Sequence, residues 1–386
     1  MKWNKQRLVY IVITLGFLSQ ILLSKSLWYP ANRQFFLVPM FDFMTLDFGN
    51  IGNIILFVGL LLSLVLALFY YKKNILLTAI VLFAILMLQD ITRVQAWSYQ
   101  YFLTFVILFI DWQKPRDSAF VALQYIMIFT YFWSGLQKLN PHYVEVVHPW
   151  LFGVYKWSEP FADIGNWAYA SALFEALIGI GLIFKKSRKL SVIGGLGMHV
   201  FILAMIGPWG EDWNSVVYPW NIVMMALLLL LFWRKPEEKQ PPSLFQLPQT
   251  SIQWLVLVLF GILPSFNLFT KFPETISMTM YNGATSELSV FFDEPEAPDC
   301  IPDVAQKHIY PFAYGYYMSL DNWGGSELNV PIYDLPTYAE KFGKQFCDCI
   351  KHKEKAGIKI TNVKRWTREN YIIEEQLNCL EILKFN

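Results

Sequence analysis

Three ionisable residues lie within or directly after long apolar runs, where such side chains are rare. Lys138 follows FVALQYIMIFTYFWSGLQ, Glu175 lies in SALFEALIGI, and His199 lies in GGLGMHVFILAM. A charge in hydrocarbon is expensive, so an ionisable residue at such a place is a candidate functional residue. Amine, carboxylate and imidazole groups can all transfer protons to or from a bound substrate. We therefore predict Lys138, Glu175 and His199 as a catalytic set.

Each of the three residues also has a structural interpretation. Lys138 could place its ammonium at the membrane interface while its stem stays in lipid. Glu175 and His199 each lie about ten residues from the basic cluster 185–189, or ~15 Å along a helix, so antiparallel helices would bring them to one depth. The sequence thus predicts a hydrogen-bonded Glu175–His199 pair. This pair is either a polar clamp that only satisfies its members or a proton-accepting or quinone-binding pair.

Further polar and aromatic residues extend this candidate site. Asp90 and Arg93 are three residues apart, so they can pair on one helix face, and a surface ion pair is the structural alternative. The histidine and glutamate spacings of residues 140–166 match no metal template, so no metal is predicted. The residues predicted to line an outward-opening substrate or lipid cavity are Asp90, Arg93, Trp97, Gln137, Trp220 and Asn221.

The composition favours a polytopic membrane protein as the scaffold for this site. The chain is 55% hydrophobic and 16% charged, with a net charge of +1. Soluble domains are only about 45–50% apolar, and a net charge near zero does not indicate nucleic-acid binding. We predict an all-α bundle of about nine transmembrane helices in a domain of residues 1–270. Its nine apolar runs are 8–23, 51–71, 75–88, 99–110, 120–139, 167–184, 190–206, 216–233 and 252–269.

The basic residues predict the orientation of these runs. They fall in alternate connections, and the side of the membrane that carries more lysine and arginine is the cytoplasmic one. With nine spans, this rule places the N-terminus in the cytoplasm and the residues after 271 outside it. The connections that carry the basic residues are 1–7, 72–73, 114–116, 185–189 and 234–239.

Residues 271–386 have the pattern of a small α+β domain on the extracytoplasmic side. Residues 275–281 and 287–292 predict a hairpin across Asn282-Gly283, and 357–366 a further strand. Apolar residues at helical spacing predict a helix over 337–352. The aromatic residues of this domain suit a surface that binds partner proteins of an envelope assembly. They include Tyr310, Tyr314, Tyr316, Tyr317 and Trp323.

All four cysteines lie in this C-terminal domain. Cys300, Cys347, Cys349 and Cys379 would face an oxidising compartment, where disulfides persist. Cys347 and Cys349 are two residues apart on a predicted helix, so they point to different faces. One or two disulfides are therefore expected rather than a zinc site, and the sequence leaves their pairing open.

Several of these segments together resemble a known family. SGLQKLNPHYVE, LFEALIGIGL and GMHVFILAMIG, with Trp220-Asn221 at the eighth run, are similar to vitamin K-dependent γ-carboxylase-like membrane proteins, the horizontally transferred transmembrane (HTTM) group. The resemblance covers residues 1–272. It implies a quinone- or lipid-dependent enzyme that acts at the extracytoplasmic face, with membrane lipid as a partner. A lysine of that family deprotonates a reduced naphthoquinone, which implies a general-base role for Lys138. The alternative function is a non-catalytic membrane subunit that binds envelope proteins through residues 271–386.

Overall fold

The chain forms two compact units, each built from several segments. The computed structural model describes residues 5–41, 46, 48–112, 118–233, 248–270, 272–293, 298–313, 315–332, 338–363, 366 and 372–384. The helical unit comprises Met1–Gln20, Gly59–Phe83 and Ala96–Gly283, and the sheet unit comprises Ile21–Val58, Ala84–Gln95 and Ala284–Asn386. The predicted division into 1–270 and 271–386 divides the chain only once, whereas both compact units are discontinuous.

Every one of the nine apolar runs forms helix. The longer helices up to the ninth run are α1 (Lys5–Leu23), α3 (Gly49–Phe69), α4 (Lys73–Gln89), α5 (Ala96–Ile110), α6 (Ser118–Gln137), α8 (Tyr169–Ile183), α9 (Arg188–Ile206) and α10 (Val217–Phe232). Two short helices lie between them, α2 (Lys25–Trp28) and α7 (His148–Phe152), and α11 (Ser251–Val256) opens the ninth run.

Six helices of the described residues are long and apolar enough to cross a membrane, as expected for a multi-pass membrane protein. They are Lys5–Leu23, Gly49–Phe69, Ala119–Gln137, Gly165–Ile183, Arg188–Ile206 and Ser251–Leu268. The apolar helices α4, α5 and α10 have only 17, 15 and 16 residues. A straight helix of that length covers about 22–26 Å, less than the ~30 Å hydrocarbon core. Nine crossings are therefore not confirmed by helix length.

The ninth run is a helix with changing geometry. After α11 the backbone forms a π-helical segment, Leu257–Ile262, and then a 3₁₀ segment, Leu263–Leu268. Pro264 lies at the start of the 3₁₀ segment, and its ring can neither donate a hydrogen bond nor continue a regular α-helix. The irregular geometry follows from this proline.

Helix α6 lies at the centre of the helical unit. Of its most apolar window, 72% is buried, against 33–50% for the other five membrane-length helices. It packs against α5, α8, α10 and the ninth-run helix. Gln124 donates to the carbonyl of Leu231 in α10 (2.8 Å), and Trp133 Nε1 donates to Gly261 O (3.1 Å). The residues of α6 are therefore well placed to meet side chains from several helices.

Small residues allow α6 and α8 to approach closely. A Cβ atom added at Gly135 would lie 2.3 Å from Ala176 N and 2.6 Å from Ala172 O. A Cβ added at Gly179 would lie 2.7 Å from Phe132 N. Within a membrane, glycine and alanine let helix backbones pack in this way. This contact fixes the register of α6 against α8, and with it the site described below.

The sheet unit contains a five-stranded antiparallel sheet in the order β2-β3-β1-β4-β5. Short or amphipathic helices follow its strands, so the predicted α+β class is correct for this part of the chain. Its elements are β1 (Glu287–Phe292), α12 (Asp303–Gln306), β2 (Tyr310–Phe312), β3 (Gly315–Ser319), α13 (Leu320–Leu328), α14 (Tyr338–Cys349), β4 (Gly357–Val363), β5 (Ile372–Asn378) and α15 (Cys379–Ile382).

The predicted hairpin across Asn282-Gly283 is wrong. Residues 275–281 form turns and no strand, and β1 pairs instead with β3 and β4. Positive φ angles do occur at Met278 (57°), Tyr281 (54°) and Gly283 (74°), but not at Asn282. The segment therefore lacks the two consecutive residues with positive φ that a two-residue hairpin turn needs. Strand β1 pairs instead with strands that lie further along the sequence.

Two disulfides join the cysteines, Cys300 to Cys349 and Cys347 to Cys379. This confirms the expectation of disulfides and supplies the pairing that the sequence left open. Neighbours two residues apart in α14 point to different faces, so they take different partners.

Some predictions concern the surface of the sheet unit or residues outside the described ranges. Tyr310 and Tyr317 are partly exposed, whereas Trp323 is fully buried and cannot meet a partner directly. Partner binding by residues 271–386 stays a prediction. Predicted features that lie outside the described residues are Tyr314, the helix start at Thr337, and the basic residues Lys2, Lys114, Arg116, Arg234, Lys235 and Lys239.

We expect Gly135→Ala to destabilise the protein by about 1–3 kcal/mol, because the new methyl group meets the α8 backbone rather than a movable side chain. Gly197→Ala is the matched control, since a Cβ there has no neighbour within 4 Å. Thermal unfolding of purified protein in detergent measures both. Equal midpoints for the two variants would contradict the proposed helix contact.

Candidate functional site

A cavity of about 450 Å³ lies within the helical unit. Its walls come from α6, α8, α9 and α10 and from the segment Tyr143–Phe152 that follows α6. This volume is within the range of drug-sized ligand sites, which are mostly apolar with a few placed polar groups. Much of the lining is aromatic or aliphatic, including Trp150, Phe152, Phe174, Phe201, Ile202 and Trp220.

Lys138 and Glu175 form an ion pair in the cavity wall. Lys138 Nζ lies 2.8 Å from Glu175 Oε2, and the two side chains are only 10% and 14% exposed. Nζ also donates to the Oγ of Ser134 at 2.8 Å and to its carbonyl oxygen at 3.3 Å. The interpretation of Lys138 as a side chain that only reaches the membrane interface is therefore wrong. The close α6–α8 contact sets the distance between the two charges.

His199 is held by a hydrogen bond on each ring nitrogen. Its Nδ1 lies 2.7 Å from Asn221 Oδ1 and its Nε2 lies 2.6 Å from the hydroxyl of Tyr131. Asn221 Nδ2 donates to Val217 O, so its oxygen faces the imidazole and accepts from Nδ1–H. In the neutral ring, Nε2 then accepts from the Tyr131 hydroxyl. The arrangement leaves Nε2 as the nitrogen that can take up a further proton.

The predicted hydrogen bond between Glu175 and His199 is wrong. Both side chains line one cavity, as the depth argument requires, but each has another partner. Tyr131 and Ser134 of α6 and Lys138, the residue directly after it, follow one another at spacings of three and four residues, and they supply these partners. The two polar clusters are thus both anchored on α6.

Sequence reasoning missed further polar residues of the cavity. Besides Tyr131 and Ser134, the Tyr143 hydroxyl lies 2.7 Å from Ser171 Oγ, which itself donates to Ala168 O. Tyr143 must then donate to Ser171. Burial raises the pKa of Tyr143 to about 12, because the effect of the Ser171 hydrogen bond is smaller. Tyr143 therefore stays neutral at physiological pH. Its signal in the sequence was only a tyrosine directly after the span.

Five of the nine predicted site residues line the cavity, namely Lys138, Glu175, His199, Trp220 and Asn221. Trp220 also donates its Nε1–H to Gln100 Oε1 at 2.8 Å. Gln137 is fully buried and donates to Pro264 O, and Trp97 packs beside Phe17, so neither is part of the lining.

Asp90 and Arg93 belong to the sheet unit and not to the cavity lining. Their ion pair is buried rather than on the surface, and at 3.9 Å it is longer than the 2.5 Å pair of Asp90 with Arg33. Asp90 caps a 3₁₀ helix through Thr92 N. Burial alone would raise the pKa of Asp90, but the guanidiniums of Arg33 and Arg93 and the Thr92 hydroxyl hold it below its ordinary value. The geometry is that of a buried structural cluster.

Comparison with protein-family models, with curated proteins and with solved structures finds no match to this chain. The resemblance to the carboxylase-like membrane proteins therefore stays a prediction.

Removing either member of the Lys138–Glu175 pair should destabilise the protein by about 3–5 kcal/mol, since it leaves an uncompensated charge among apolar side chains. Lys138→Met and Glu175→Gln are the single variants. The double variant leaves no such charge, so we expect it to be more stable than either single variant. Thermal unfolding in a double-mutant cycle measures the coupling. Additive effects would show that the two groups do not interact.

Proposed function

We propose that this chain is a multi-pass membrane protein that binds a quinone or another lipid in the cavity of its helical unit and provides acid–base groups beside it. The single observation that carries the proposal is the make-up of this cavity. An apolar and aromatic wall ends in two buried polar clusters, Lys138–Glu175 and Tyr131–His199–Asn221.

The cavity suits an amphiphilic ligand in both of its parts. Phe174 and Phe201 are among the aromatic side chains that would contact a hydrocarbon tail or ring. The polar clusters would receive the headgroup, since a buried polar group needs hydrogen-bond partners. A bound quinone would supply redox chemistry. The chain itself would orient the ring, exclude water and hold protons at His199 Nε2 and on the Lys138–Glu175 pair.

The proposal extends to the membrane topology. Nine crossings would follow if α4, α5 and α10 span the bilayer together with their flanking residues. With the N-terminus in the cytoplasm, this odd number would place the sheet on the extracytoplasmic side. The two disulfides support the same orientation, because such bonds persist in oxidising compartments. A narrower form of the proposal is that Lys138 acts as a catalytic base in a carboxylase-like reaction.

Native mass spectrometry of the protein purified in nanodiscs tests the binding proposal. We expect the wild type to retain a lipid or quinone, and Gly197→Phe to lose it, because position 197 faces open space in the cavity wall. Gly325→Phe is the matched control, since position 325 is equally open but lies in the sheet unit. A wild type that retains no lipid, or equal retention in both variants, would contradict the proposal.

Reporter fusions in a bacterial host test the topology. We expect green fluorescent protein at the N-terminus to fluoresce, because it would fold in the cytoplasm. Alkaline phosphatase at the C-terminus should be active, because it requires an oxidising compartment. An inactive C-terminal phosphatase together with a fluorescent N-terminal fusion, with intact protein in the membrane, would exclude an odd number of crossings.

A further inference from the structure

The ammonium of Lys138 has no hydrogen left for a ligand. It has three N–H donors, and the structure assigns one each to Glu175 Oε2, Ser134 Oγ and Ser134 O. In the neutral state described above, the Tyr131 hydroxyl donates to His199 and the Tyr143 hydroxyl to Ser171. The most obvious cationic donor of the cavity is therefore already used within the protein.

Glu175 instead offers an acceptor. Only its Oε2 is engaged, and Oε1 has no hydrogen-bond partner among the described residues. Oε1 is not among the fully buried side-chain atoms that lack a partner, so it keeps some exposed surface, and Glu175 lines the cavity. The hydroxyl of Ser134 accepts from Lys138, and its own hydrogen has no assigned acceptor. Glu175 Oε2 and Ser134 Oγ each lie 2.8 Å from the same ammonium, so the carboxylate that carries the acceptor and the hydroxyl that carries the donor are neighbours around it.

The charges of the cavity constrain the ligand as well. The ion pair cancels its own charge, and neither hydrogen-bond partner of His199 is a carboxylate that would favour a charged imidazole. A carboxylate or phosphate headgroup would bring an uncompensated negative charge next to Glu175, which is unfavourable where water is excluded. A ketone or quinone carbonyl has no hydrogen to donate, so its lone pairs would face those of Oε1 and repel them.

We propose that the cavity selects a neutral amphiphile with a hydroxyl group, an alcohol or a phenol, which donates its hydrogen bond to Glu175 Oε1. The hydroxyl oxygen then accepts from Ser134, so the headgroup uses both free positions. In this arrangement Glu175 is the residue that touches the ligand and Lys138 is the positioning residue that holds the carboxylate. The inference rests on the proposed lipid-binding function and narrows its ligand class.

Three probes with one hydrocarbon chain test the headgroup: farnesol, farnesyl methyl ether and farnesoic acid. Isothermal titration calorimetry at pH 8, with the full chain in nanodiscs, measures their affinities. We expect farnesol to bind about ten- to a hundredfold more tightly than the ether, which lacks the donor, and than the ionised acid. Equal or tighter binding of the ether or the acid would overturn the hydroxyl proposal while the lipid-binding function stands. Binding of none of the three by the wild type would overturn both.

Glu175→Gln supplies the second measurement. This variant keeps the size of the side chain but leaves the Lys138 ammonium without its counter-charge. We expect farnesoic acid to become the tightest of the three probes and the advantage of farnesol over the ether to fall below about fivefold. An unchanged order of the three affinities would overturn the role of Glu175. The double variant Lys138→Met with Glu175→Gln removes both charges. It should bind farnesol and the ether within about fivefold of each other, so it tests the same role if Glu175→Gln does not fold.

Discussion

One ion pair between two apolar helices constrains the rest of the helical unit. An ammonium and a carboxylate that are both nearly buried are tolerated only if they lie within hydrogen-bond distance, because each alone would cost several kcal/mol. Lys138 and Glu175 meet this condition at 2.8 Å. Their helices must therefore keep one separation and one register.

Glycines supply that separation. At Gly135 and Gly179 the backbones of α6 and α8 come so close that a methyl group has no room. Gly135 lies one turn before Lys138, and Ala176 lies next to Glu175 along the chain. The tight contact and the ion pair are thus neighbours, and a change in the register of the two helices would disturb both. The cavity lies beside this contact, and α9 and α10 contribute His199 and Asn221 to its wall.

The sequence predicted the helices and the polar residues of the site better than it predicted their partners. Length and apolar content mark a helix in lipid without knowledge of its neighbours, so all nine runs form helix. Depth in the membrane correctly brought Glu175 and His199 to one cavity. Depth does not fix the rotation of a helix about its axis, and rotation decided that Glu175 meets Lys138 while His199 meets Tyr131.

The errors elsewhere share a physical origin. A local pattern predicts that neighbours in the chain pair with each other, whereas here the partners lie far apart in the sequence. Asp90 pairs more closely with Arg33, 57 positions earlier, than with Arg93 three positions later. Strand β1 likewise pairs with β3 and β4 rather than with the residues across the nearest turn. Pairing between residues that lie so far apart in the chain leaves no signal in a single sequence.

The π-helical segment Tyr143–Val147 gives one wall of the cavity an unusual tolerance of a change in chain length. A π-turn holds one residue more than the α-turn it replaces. Loss of a single residue there converts the π-turn into an α-turn, so the residues beyond it avoid the rotation of ~100° that a deletion from a regular α-helix causes. Trp150 and Phe152, which line the cavity, would then keep their direction. The shape of this wall thus depends on the identity of its residues more than on the number of residues in one turn.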